Sequence, residues 1–374
     1  MSVSSVPLST RLLLWGKAAG RCQYTGCNHP LWKDDLTQNE FNIAYIAHIV
    51  ADKPDGPRGH EELSTKLGKE LSNIMLMCDE HHRLIDKIDV EGHPVERLQE
   101  MKATHERRIE IATSITDDFQ SNIVLYGANI GKHGSFLRWD RAAQALQPLK
   151  YPAEKEAIEL SMKNSSFEDK EELYWILEKE NLNRQFNERI KGRFHLEQNQ
   201  HLSIFPLAPI PLLIYFGHLL SDIPTADVYQ LHREPQGWSW QSHPEEFDFI
   251  IRKPKNSSSV VALNLSLSAT INNERITSVL GEDASIWTIA IKNPYNDFLK
   301  SKEQLQMFRE ILRKVLNEIK AVHGNAEELH VFPAVPVSIG LEIGRVRMPK
   351  ADLPFVIYDE NRQSGGFKKA IDLI

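Results

Sequence analysis

Nine residues, Cys78-Asp-Glu-His81-His82-Arg-Leu-Ile-Asp86, hold a thiol, two adjacent imidazoles and a carboxylate. Cys78 and His81 form a Cys-x2-His pair, the spacing of a tight tetrahedral zinc site. From Glu80 onward the segment reads as a helix start. That places His82 and Asp86, four apart, on one helix face, where both can meet a single cation. Upstream, Cys22 and Cys27 flank Gly26 as a second pair of thiols. The chain has 3 cysteines, an odd number that argues for metal rather than disulfides. Three small buried hydrophobes would be the plain alternative, but both thiol-bearing segments are paired at ligand spacing. One short stretch thus supplies half of a structural Zn²⁺ site, completed by Cys22 and Cys27, and most of a second, catalytic one.

The elements that must position these groups are short. Pro7–Ala19 reads as a helix with Leu12, Leu13 and Trp15 available for a core, and it runs into the Cys22–Cys27 turn. Phe41–Val50 is a β-prone run carrying His48. Asp52–His60 is a loop rich in Pro and Gly, and Leu71–Met77 leads into the ligand stretch. Val95–Thr113 reads as a closing amphipathic helix, with Leu98, Met101, His105, Ile109 and Ala112 at helical spacing.

The order His48, Asn73, His82, flanked by zinc-type ligands, resembles the HNH nuclease family, the ββα-metal fold. Ala47-His48-Ile49, Asn73-Ile-Met-Leu-Met-Cys78 and Cys78-Asp-Glu-His81-His82 carry the resemblance, over roughly residues 1–115. His81 stands where the family pattern usually has a second Cys, an exchange that zinc accepts. Ala47 stands where many relatives carry a metal ligand, and Asp86 is assigned to that vacancy. The resemblance implies an α+β domain that hydrolyses phosphodiesters. In it His48 takes a proton from water, and His82 with Asp86 holds Mg²⁺ or Mn²⁺ against the scissile phosphate. Asn73 either orients His48 through a hydrogen bond or forms a turn, and a solvated helix carboxylate is the plain alternative for Asp86. Arg83 either clamps phosphate or faces solvent.

The whole chain has 374 residues, 41% hydrophobic and 25% charged, an ordinary globular composition for two or three domains. It has no apolar run of membrane-spanning length, and Met1–Thr10 lacks a signal-peptide pattern, which predicts a cytoplasmic protein with no membrane partner. The net charge is −7. Residues 1–115 hold 14 Lys and Arg against 17 Asp and Glu, so a monomer should grip DNA weakly. Residues 116–150 read as a linker.

Residues 151–374 contain a repeat. Phe205-Pro206-Leu-Ala-Pro209, with Gly217 beyond it, matches Phe332-Pro333-Ala-Val-Pro336, with Gly344 beyond it. A helix precedes each (Lys170–Ile190 and Lys302–Val322), a strand enters each Phe-Pro, and another strand follows each glycine. The pattern predicts two α/β units with parallel strands. Two further strands, Val260–Ser268 and Ile286–Ile291, fall between them. Ligands of open parallel sheets bind beyond the strands' carboxyl ends. Those ends nominate Phe205, Pro206, Ser266, Leu267, Ser268, Ala269, Asn293, Pro294, Tyr295, Phe332, Pro333 and Ala334, with Trp240 as a further stacking surface; for most of the aromatics core packing is the stronger reading. No basic groove is visible in this half.

This arrangement resembles the SAVED domain, a fused pair of CARF-like halves that binds cyclic oligonucleotides in anti-phage CBASS systems. His201–Gly217, Val260–Ala269 and Leu329–Arg345 carry the resemblance. HNH before SAVED matches a known CBASS effector family. It implies an endonuclease that degrades double-stranded DNA once a cyclic di- or trinucleotide assembles it into a homo-oligomer. A restriction-type HNH nuclease whose second domain reads DNA, and a zinc module that only binds, are the competing readings. The acidic second half counts against the first of these, and His48 with His82 and Asp86 against the second.

Overall fold

A computed structural model describes residues 6–34, 36–114, 119–131, 137–162, 165–192, 201–220, 225–361 and 366–374. The chain divides into two compact units, Met1–Thr116 and Asp117–Ile374. In the first, strands β1 (Tyr45–His48) and β2 (Ile74–Met77) pair antiparallel, with Tyr45 opposite Met77 and His48 opposite Ile74. Helix Asp79–Arg83 follows β2 at once and runs into a π-turn over Leu84–Ile88. All four β2 residues are fully buried. They pack with Leu14, Ala18, Cys22, Leu31, Ala47, Ile85 and Leu98. Burial of this kind contributes roughly 1.5–3 kcal/mol per large apolar side chain. Helix Leu8–Ala18 buries Leu14 and Ala18. Leu12 and Leu13, expected in the core, instead point outward, because the buried stripe runs through positions 14 and 18. Helix Val95–Thr113 closes the unit with Leu98, Met101 and His105, whose Nε2 donates to the Ala18 carbonyl at 3.1 Å.

The second unit is an internal duplication. Its first half runs β3 (Gln120–Gly127), helix Trp139–Leu146, β4 (Tyr151–Pro152), β5 (Ile158–Glu159), helix Glu172–Phe186, β6 (Leu202–Leu207), helix Ile210–Leu219 and β7 (Ala226–Val228). A small hairpin, β8 (His232–Arg233) with β9 (Gln236–Gly237), follows. The second half runs β10 (Ile250–Arg252), β11 (Val261–Ser266), helix Asn273–Leu280, β12 (Ser285–Ala290), helix Lys302–Val322, β13 (Leu329–Ala334), helix Val337–Val346, β14 (Phe355–Asn361) and β15 (Gly366–Leu373). One sheet has the order β4-β3-β6-β7, with β5 also on β3, and is parallel throughout. The other has the order β10-β12-β11-β13-β14-β15, parallel from β12 to β14 with an antiparallel strand at each edge.

The repeat is therefore longer than the Phe-Pro segments. β3 corresponds to β11, and helix Trp139–Leu146 to helix Asn273–Leu280. Two sequence expectations change accordingly. Residues 116–150 are not a linker: they hold β3, buried over seven of its eight residues, and the first helix of the half. Val260–Ser268 and Ile286–Ile291 do not lie between the halves but open the second one. The two halves meet through equivalent helices. A Cβ on Gly217 would lie 1.9 Å from the Leu341 carbonyl oxygen, and one on Gly344 would lie 1.9 Å from that of Ile214. Backbones this close admit only glycine. The main apolar core runs from Val124 through both halves to Leu373, and each half has a smaller cluster of its own, around Phe205 in the first and Phe332 in the second.

Candidate functional site

The Cys22–Cys27 turn is held against β2 by two hydrogen bonds: Gln23 N donates to the Leu76 carbonyl at 2.9 Å, and Leu76 N donates to Gln23 Oε1 at 2.8 Å. Cys78 ends β2 and caps the following helix, so His81 comes round one turn later. The result is that the ligand atoms of Cys22, Cys27, Cys78 and His81 all lie within 4.8 Å of one another. Cys78 Sγ is 3.0 Å and Cys22 Sγ 3.9 Å from His81 Nδ1. Such separations suit a tetrahedral ion with bonds of about 2.0–2.3 Å. Burial pushes the Cys22 and Cys78 thiols up, and lowers His81. Burial thus favours the neutral thiols and imidazole, and a dication bound there would displace the thiol protons and stabilise the thiolates. Tyr24 stacks on His81 with ring centroids 4.1 Å apart, and its hydroxyl donates to His93 Nε2 at 3.0 Å, while His93 Nδ1 donates to the Asp89 carbonyl at 2.7 Å. This support behind His81 has no signature in spacing and was not foreseen.

His48 ends β1, and its Nε2 donates to the Gly68 carbonyl at 3.0 Å. That bond leaves Nδ1 as the nitrogen able to accept a proton. Of the two roles open to Asn73, the structure shows the turn-forming one, with no hydrogen bond to His48 among the described residues. Its side chain is buried, accepting from Val50 N at 2.8 Å and donating to the Val50 carbonyl at 2.8 Å and the Leu67 carbonyl at 3.3 Å. It fixes the backbone leaving β1 and the turn that presents Gly68. His82 Nε2 and Asp86 Oδ2 lie 3.4 Å apart on one face, near enough for both to meet one cation. Tyr45 stacks on His82 at 4.9 Å, and burial lowers the imidazole's pKa, favouring the neutral ligand form. Asp86 Oδ1 is taken by Arg58 at 2.5 Å. Arg83 pairs with Asp79 on the exposed side. The four-residue cysteine and histidine cluster is the one group of three or more such ligands among the described residues.

In the second unit several nominated ligand residues prove to be core. Phe205 and Phe332 are fully buried, each stacked on a tyrosine (Tyr229 and Tyr358) with centroids 4.4 Å apart. They pack the sheets instead of offering stacking surfaces. Leu267 is buried, Pro206 and Pro333 sit within β6 and β13, and Trp240 packs against the core. Ser266 Oγ is spent on Asn264 Oδ1 at 2.8 Å and on Ile271 N at 2.9 Å. Leu267 N and Ser268 N both donate to the Ala334 carbonyl, tying the ends of β11 and β13 together. Ala269, Asn293 and Tyr295 remain exposed, and Ser268, Pro294 and Ala334 are half-buried. Ser266 and Pro294 reach a groove of about 700 Å³ beside β11 and β12. Arg252, Lys253, Lys255 and Lys292 line it against two acids, Glu274 and Glu282. Lys253 pairs with Glu318. A basic groove thus exists where none was read, because its cations come from separate segments.

The second unit is thus a duplicated α/β body, and the first carries a zinc-type ligand set. Residues 182–373 match the SAVED family, described as the SMODS-associated and fused to various effectors sensor domain, and the chain belongs to it. Among solved structures it is similar to the Acinetobacter baumannii Cap4 SAVED/CARF-domain containing receptor with the cyclic trinucleotide 2'3'3'-cAAA, at 12% identity and a TM-score of 0.44, over 78% of this chain and 65% of that one. It is also similar to the Moraxella osloensis Cap4 receptor, at 11% identity and a TM-score of 0.40, over 83% of this chain and 70% of that one. The chain thus spans a little under two thirds of the ligand-bound Acinetobacter receptor. No curated protein matches it. No helix among the described residues is long and apolar enough to cross a membrane.

Proposed function

We propose that the chain is an HNH-type, metal-dependent endonuclease of double-stranded DNA, switched on by a cyclic di- or trinucleotide bound to its SAVED unit. It would serve as an effector of CBASS-type anti-phage defence. What supports this reading is that one unit holds the four-ligand cysteine and histidine cluster, the His82–Asp86 pair and His48, whose backbone is joined to Asp86 through Arg58, in a chain whose other unit matches SAVED. Cys22, Cys27, Cys78 and His81 hold Zn²⁺ and lock the first turn to the helix bearing His82. His82 and Asp86 hold Mg²⁺ or Mn²⁺, which when bound neutralises charge at the scissile phosphate and the leaving oxygen. His48 Nδ1 takes the proton of the attacking water as its oxygen bonds to phosphorus and the P–O bond to the leaving group breaks. Ala269, Asn293 and Tyr295, with the adjacent Arg252, Lys255 and Lys292, are the candidate contacts for the anionic activator.

The test is cleavage of plasmid DNA by the full chain in Mg²⁺, with a panel of cyclic di- and trinucleotides and with a His48→Ala variant alongside. Cleavage with one panel member and a loss of about 10²–10⁴-fold in the variant are expected. Cleavage without any cyclic nucleotide would replace the sensor reading with a restriction-type nuclease. Absence of cleavage under every condition would leave a binding module.

A further inference from the structure

Arg58 lies in the loop Pro54-Asp-Gly-Pro-Arg58-Gly, outside every ligand motif. Its backbone has φ 57°, a left-handed conformation unfavourable for a residue with a Cβ. Its side chain is only 6% exposed. Nε donates to the Ile49 carbonyl at 2.8 Å, and one terminal nitrogen to the Ile85 carbonyl at 2.7 Å. The other terminal nitrogen reaches Asp86 Oδ1 at 2.5 Å and the His48 carbonyl at 3.4 Å. One guanidinium therefore joins the end of β1, which carries His48, to the helix that carries His82 and Asp86. These contacts over-determine the unfavourable backbone.

The split of the Asp86 carboxylate gives this contact a direction. Oδ1 faces Arg58 and Oδ2 faces His82 Nε2 at 3.4 Å. The geometry points to Arg58 as the positioning residue of the nuclease centre: it sets the rotation of Asp86, so that Oδ2 meets the cation, and holds the His48 backbone in register with it. This rests on the nuclease reading. Arg58 touches neither the cation nor the phosphate. Its fork can satisfy two carbonyls and a carboxylate at once, which a lysine cannot. Its charge beside Asp86 opposes cation binding as such, so removal should harm turnover more than metal affinity.

The experiment compares the full chain with Arg58→Ala, Arg58→Lys and Asp86→Asn. Three readouts are taken: zinc content, Mn²⁺ binding by electron paramagnetic resonance, and plasmid cleavage with the activating cyclic nucleotide. Both Arg58 variants should keep their zinc and bind Mn²⁺ at least as tightly as the parent. Their turnover should fall about 100-fold, the size expected for a small misplacement of reacting groups. Asp86→Asn should lose Mn²⁺ binding. Parent-like turnover in Arg58→Ala would overturn the proposal. So would joint loss of zinc, Mn²⁺ binding and fold in both Arg58 variants, because Arg58 would then only hold the loop. A parent protein that cleaves nothing would instead sink the nuclease reading itself.

Discussion

Cys27 is the half-buried member of the ligand cluster at the end of the first turn, beside exposed Gly26. Cys27→Ser should remove one tightly held zinc per chain, read by elemental analysis of undialysed protein. It should also abolish the cooperative melting of the first unit, since binding energy at a structural zinc site is folding energy. Zinc-free parent protein with an intact first-unit transition would contradict this. The ligand set was legible in the sequence because both pairs are local: a Cys-x2-His at a helix start and a Cys-x4-Cys in a turn fix their own geometry. For Asn73 the sequence left two roles open, because its partners, Val50 and Leu67, are set by where β1 ends and how the following loop returns. Phe205 and Phe332 were misplaced for a related reason. Their position before a proline marks the strand end, but nothing local says which sheet face is covered.

At the scale of elements, the Phe-Pro repeat was visible because identical residues recur, whereas β3 and its helix carry no such match to β11 and its helix. Segment 116–150, with its glycines, therefore passed for a linker although β3 is the strand on which β4, β5 and β6 all pair. The helix crossing offers a sharp test. Gly344→Ala puts a methyl carbon 1.9 Å from the Ile214 carbonyl oxygen and 2.5 Å from His218 N. Neither backbone can yield cheaply, so denaturant unfolding should show a loss of at least about 1–3 kcal/mol. Gly16→Ala, in a helix interior where the added carbon meets nothing within 4 Å, should instead gain about 0.5–1 kcal/mol. Equal stabilities for the two variants would show that the crossing helices can separate.

Across the whole molecule, two buried ionisable groups pull stability in opposite directions with pH. Glu178 is 1% exposed, and neither carboxylate oxygen has a partner among the described residues. Burial raises its pKa from 4.5 to about 7. A raised carboxyl pKa gives a contribution that is complete below pH 4.5 and is lost as pH climbs to about 7. His201 is the reverse: burial lowers it from 6.5 to about 4, so its contribution fades as pH falls through that interval. Glu178→Gln should therefore raise the melting temperature by several degrees more at pH 8 than at pH 5. An offset independent of pH would place the carboxyl in a solvated site. The continuous core from Val124 to Leu373 has a wider consequence. Duplication usually multiplies the parts that can melt alone. Here the copies share their main core, so the two halves should melt together rather than one at a time. Disturbance at one strand end is felt as a change in the whole body, and a ligand bound there stabilises 258 residues as one cooperative block.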